Sequence, residues 1–182
     1  TALVNEAFLK LAQAADVLLE DKPVGFLDRQ HLGFSALRKL NPKLIVTSIT
    51  GFGQSGPYRD FKAPSIVAFA MGGLMNVCGH PGRAPLMGPC DVAYHLASVH
   101  AAFGTLVALF NRRDSGRGEH VEVSLQEVLV ADPFLRLITR YSVTGEISAR
   151  TGHSQSTTVA ETYQCKDGYA RIFVNQPDHW RR

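Results

Sequence analysis

Apolar positions near the start of the chain recur at helical spacing. In NEAFLKLAQAA (5–15), Phe8, Leu11 and Ala12 share one face, with Ala15 beyond them. DVLLE follows as a short buried strand, and GFSALRKLNP as a helix broken by Asn41-Pro42. LIVTSIT (44–50) is a β-branched run without polar alternation, the pattern of a strand covered on both faces of a parallel sheet. Helix, strand, helix, strand at this spacing predicts half of an α/β domain.

Further along, APSIVAFAMGGLMNVCG reads as a helix broken near Gly72-Gly73. A longer helix over 92–113 ends in NRRDSGRG, where arginines complement the carbonyl end and glycine closes it. HVEVSLQ alternates like a strand, and LQEVLVADPFLRLITRYS returns to helical spacing with a kink expected at Pro133. After the polar stretch TGEISARTGHSQSTT, ETYQCKDGYARIFV predicts a β-hairpin around Lys166-Asp167-Gly168. The pattern places a domain boundary near residue 146: 1–145 within a large α/β domain, 146–182 a linker and the start of a smaller, β-containing one.

Composition adds little to that picture. With 182 residues, 45% hydrophobic and 19% charged, the chain has room for one domain or a large part of one. Its net charge of +3 is dispersed, with only short pairs such as Arg112-Arg113, so no nucleic-acid footprint is expected. Cys78, Cys90 and Cys165 show no CxxC or CxxH spacing, which argues against a disulfide framework or zinc site and for a reducing, cytoplasmic setting. No stretch reads as a secretory leader or as an unbroken apolar span, so no membrane partner is expected. Thr1 stands inside a running amphipathic pattern and the chain stops at HWRR, which reads as a piece of a longer protein.

Two tempting motifs fail on physical grounds. GFGQSG (51–56) matches G-x-G-x-x-G, but Pro57 and YRDFKAP follow where a nucleotide fingerprint needs a helix opening toward the pyrophosphate. His95 and His100 stand too far round a helix to share a metal, so no metal site is expected. They read as one partly buried and one surface histidine.

Taken together, ADVLLEDKPVGFLDRQHLGFSALRKLNPKLIVTSITGFGQSGPYRD, GGLM, LVALFNRRDSGRGEHVEVSLQE and TYQCKDGYARIFV resemble, in order, the motifs of class III CoA-transferases, the CaiB/BaiF family. The resemblance implies a Rossmann-like large domain, a smaller second domain, and two identical subunits interlocked like links of a chain. It implies an acyl-CoA and a small carboxylic acid as substrates, with no permanently bound cofactor. In the family an aspartate attacks the acyl-CoA thioester to give a mixed anhydride. The CoA thiolate then forms an aspartyl-CoA thioester, which the incoming acid takes over. A further strand–helix unit is expected before residue 1, and the family's active-site glycine loop beyond residue 182.

The resemblance also carries sites over. Arg29 matches an arginine beside the nucleotide, and Lys62 a basic position at the CoA phosphates. Asp21 and Lys22 stand where the family has an Asn-Phe pair at the adenine; Lys22 adds a cation but loses a stacking face. The family's nucleophilic Asp lies ten residues before the glycine that is here Gly104, and that position is Tyr94. Asp91 lies three positions upstream, about one helical turn. A phenol stays protonated at neutral pH and does not replace a carboxylate nucleophile. Three readings follow: Asp91 reaches the thioester from a shifted helix start, Tyr94 serves an altered chemistry as donor or acid, or the protein binds CoA thioesters without transferring them, as an inactive partner subunit. Ala63-Pro64-Ser65 stands where relatives carry Gly-Tyr-Asp or, in α-methylacyl-CoA racemases, Gly-His-Asp, so racemase chemistry is the least expected.

Overall fold

The computed structural model describes residues 2–131, 137–150 and 159–174. In chain order they form α1 (Ala2–Ala14), β1 (Val17–Glu20), α2 (Phe26–Arg29), α3 (Phe34–Leu40), β2 (Ile45–Thr50), α4 (Ser65–Met71) and α5 (Leu74–Val77). There follow α6 (Val92–Ser115), β3 (His120–Ser124), α7 (Leu125–Val130), α8 (Leu137–Thr144), β4 (Val159–Gln164) and β5 (Tyr169–Val174). The strands form one parallel sheet in the order β1-β2-β3 and a separate antiparallel pair, β4-β5.

β2 is the middle strand and is buried along nearly its whole length, as its unalternating apolar run predicts. Its register sets Val17 beside Ile45 on one side and Val46 beside His120 on the other. Alternate residues then feed two cores. Val46, Leu18, Ala12, Leu37 and Leu44 pack together with α1 and α3 on one face. Val121, Val123 and Ile49 pack with Ala97 and Ala101 of α6, Phe69 of α4 and Leu129 of α7 on the other. The strands follow one another in one direction, so two right-handed connections would put both sets of helices on the same face. Their placement on opposite faces makes one connection left-handed, against the usual preference.

α6 approaches the sheet through small residues: Ala93, Ala97, Ala101 and Ala108 are buried. A Cβ on Gly104 would stand 2.9 Å from Val121 Cγ1, so glycine permits this closeness. Thr105 Oγ1 donates to Ala101 O at 2.7 Å and shares a 2.7 Å hydrogen bond with Thr47 Oγ1, satisfying a polar pair inside the layer. By length and composition α6 could cross a membrane; here that apolarity is divided between the sheet and an outer face. Val99, Phe103, Leu106, Val107 and Phe110 are exposed on it.

The break at Gly72-Gly73 falls between α4 and α5, where Gly73 takes a left-handed φ of 84°. The hairpin closes at Cys165–Gly168 with a 2.8 Å backbone hydrogen bond. Two expectations are corrected. α2 is a one-turn helix not foreseen in the loop after β1. Both His95 and His100 are exposed, because α6 turns its alanines inward and leaves these two positions outside. Pro133 lies outside the described residues.

Candidate functional site at the carboxyl edge of the sheet

In a parallel sheet all carboxyl ends of the strands open on one edge, and ligands of open α/β folds bind in the crevice beyond it. β1 ends at Glu20 and is followed directly by Asp21 and Lys22, then by α2 with Arg29. β2 ends at Thr50 and is followed by the glycine loop 51–56 and then Lys62. α6 runs back across the sheet. Its C-terminal Arg112 donates to Lys43 O at 2.9 Å and pairs with Asp16 Oδ1 at 2.8 Å, both beside the strand starts. Its first turn, with Asp91 and Tyr94, therefore lies at the strand ends. Asp21, Lys22 and Lys62, which follow the strand ends, and Asp91 and Tyr94 at the start of α6 lie at this edge, whereas Arg29 stands further on, at the end of α2.

Contacts within the set are few. Lys22 Nζ meets Asp21 Oδ1 at 3.0 Å, an exposed pair worth little in water. Arg29 folds back to donate from Nη1 to Val24 O at 3.2 Å, across a turn in which Gly25 has φ 72°. Lys62 is exposed and has no hydrogen bond or ion pair among the described residues. Tyr94, 44% exposed, donates from its hydroxyl to Ala63 O at 3.3 Å, which ties the α6 start to the residue after Lys62.

Asp91 is the N-cap of α6, yet it caps nothing with its side chain. Asp91 (φ 48°) and Cys90 (φ 54°) both lie in the left-handed region, uncommon for residues other than glycine. Its carbonyl accepts from Tyr94 N and His95 N, while its carboxylate is exposed and unengaged among the described residues. Ser65, at the start of α4, is buried with its Oγ unpartnered among the described residues.

The glycine loop is built from within rather than around an anion. Gly53 (φ 86°) donates to Thr50 Oγ1 at 3.1 Å, and Gln54 N donates to the Glu122 carboxylate from β3. Gly51 O accepts from Gln126 N at 3.1 Å. The N–H groups of Gly53 and Gln54, which would cradle a phosphate in a nucleotide fingerprint, are thus spent. Sequence reading did not find Glu122; the only signal was a carboxylate in register with the C-terminal half of β2, opposite Ser48. A depression lined by Asp16, Lys43, Leu109, Arg112, Arg113 and Gly116 lies at the opposite edge and is separate from this site.

Comparison with known proteins now places the chain. The model of CoA-transferase family III matches residues 4–182. Succinyl-CoA–D-citramalate CoA-transferase of Chloroflexus aurantiacus is 38% identical over 144 residues, covering 79% of this chain and 36% of that protein. Succinate–glutarate CoA-transferase of Agrobacterium fabrum is 31% identical over 174 residues, covering 95% of this chain and 43% of that one. Among solved structures, a CaiB/BaiF family protein from Brucella suis superposes with a TM-score of 0.84 at 29% identity, over 93% of this chain and 45% of its own. The chain spans less than half the length of these relatives. It belongs to CoA-transferase family III.

Proposed function

We propose that the protein carrying this chain binds an acyl-CoA at the carboxyl edge of the β1-β2-β3 sheet and moves CoA to a second carboxylic acid. The observation that carries this reading is the 3.3 Å hydrogen bond from the Tyr94 hydroxyl to Ala63 O, which brings the start of α6, with Asp91, to the loop that carries Lys62 after β2. Relatives named for CoA transfer from succinyl-CoA or between succinate and glutarate support the substrate class. CoA is a polyanion, and Arg29 and Lys62 supply the cations it needs. The protein is a divergent member, since Tyr94 takes the register of the attacking acid and is held as a donor to Ala63 O.

Chemistry on this reading passes through Asp91. One carboxylate oxygen attacks the thioester carbonyl, the C–S bond breaks, and CoA leaves as thiolate from a mixed anhydride. The thiolate then attacks the Asp91 carbonyl carbon, releasing the first acid. The second acid takes CoA by the same two steps in reverse order. A carboxylate needs no base to become nucleophilic, so no resident cofactor is called for. The engaged phenol at Tyr94 favours a second reading, a CoA-binding subunit without transfer. Full-length protein incubated with acyl-CoA and treated with hydroxylamine distinguishes them: the first reading expects a modified Asp91 peptide. Turnover with peptide 88–104 unmodified removes Asp91 from the mechanism. Arg29→Ala and Lys62→Ala are each expected to weaken CoA binding about tenfold by calorimetry. Unchanged affinity in both overturns the site.

The outer apolar face of α6 supports a homodimer in which a second, interlocked subunit covers it. A division near residue 146 is supported by the pairing, since β4 and β5 join each other and not the first sheet. The three free thiols accord with a cytoplasmic setting.

A further inference from the structure

The segment between the glycine loop and Lys62 carries a ladder of rings. Phe52 is buried at 8% exposure; its ring centroid lies 5.9 Å from that of Tyr58, which lies 5.3 Å from that of Phe61. Exposure rises outward, to 43% at Tyr58 and 61% at Phe61. The outermost ring is therefore at the surface while its supports run into the core. Its backbone is set by a turn, Phe61 N donating to Tyr58 O at 2.9 Å. The loop below is anchored by Thr50, Glu122 and Gln126.

An ordered aromatic face beside a cation suits a ligand with a flat base and phosphates. Lys62 is the next residue, and Arg59 is two before, paired with Asp60 at 3.2 Å. At the end of β1, where the resemblance puts the adenine, Lys22 offers no ring. We propose that Phe61, backed by Tyr58 and Phe52, is the stacking residue for the adenine of the CoA thioester. This rests on the CoA-binding reading above. The ring needs little ordering on binding, because it is already held by its neighbours.

The test uses full-length protein and two ligands, CoA and 4′-phosphopantetheine, which lacks the adenosine. Phe61→Ala is expected to raise the Kd for CoA about tenfold, as for loss of one base stack, and to leave that for phosphopantetheine unchanged. Phe61→Trp is expected to retain CoA affinity. Equal losses for both ligands mean a general disturbance of the loop and overturn the inference, as does an unchanged Kd for CoA. Where Lys62→Ala weakens CoA binding and Phe61→Ala does not, only this inference falls. A wild-type protein that does not bind CoA overturns the CoA reading itself and this inference with it.

Discussion

Asp91 and Tyr94 stand one turn apart at the start of α6 and are engaged differently. The Tyr94 phenol is a donor to Ala63 O, while the Asp91 carboxylate one turn earlier is unengaged among the described residues. Both facts follow from where α6 begins: with Asp91 as N-cap, Tyr94 falls in the first turn, facing the loop that carries Lys62. The three cysteines differ more simply. Burial pushes the Cys78 thiol up from its ordinary pKa, whereas Cys90 and Cys165 are exposed. A raised pKa leaves less thiolate at any pH below it. Alkylation at mildly alkaline pH, followed by peptide mapping, is therefore expected to label Cys90 and Cys165 first. Cys78 is expected to gain most in rate as pH rises further.

Glycines at element ends show how tightly the pieces meet. Gly118, between α6 and β3, donates to Pro42 O at 2.8 Å, and a Cβ there would stand 1.9 Å from Leu44 O. Because the obstacle is backbone of the β2 entry, Gly118→Ala is expected to destabilise by about 1–3 kcal/mol in urea unfolding. Gly168, in the hairpin turn, has open space around it, and Gly168→Ala is expected to stay within about 0.5 kcal/mol. Most elements were readable beforehand, because their signals are local: the LIVTSIT run, the Gly72-Gly73 break, the turn at Lys166-Asp167-Gly168. α2 was not, since FLDR forms one turn whose start depends on Gly25 adopting φ 72° rather than on any periodicity. Nor was Glu122, whose partner Gln54 is distant in sequence and is met only once β2 and β3 pair.

At the scale of the whole molecule, the outer face of α6 is an exposed apolar stripe. Val99, Phe103, Leu106 and Phe110 recur at helical spacing and all are more than half exposed. If the second subunit covers them, Phe103→Asp combined with Phe110→Asp is expected to shift full-length protein from dimer to monomer in light scattering. A folded double variant that stays dimeric removes this face from the interface.

The chain alone determined most of its elements, its parallel α/β character and its family, because periodicity, turn residues and ordered motifs are properties of short segments. It also singled out six residues for the site. Only the tertiary structure decided that the start of α6 meets the loop carrying Lys62, that the helices on the two faces of the sheet require one left-handed connection, and that the glycine loop's N–H groups are already taken. Those outcomes depend on strand pairing and on the direction in which α6 recrosses the sheet. Both are contacts between distant segments, which no local pattern encodes.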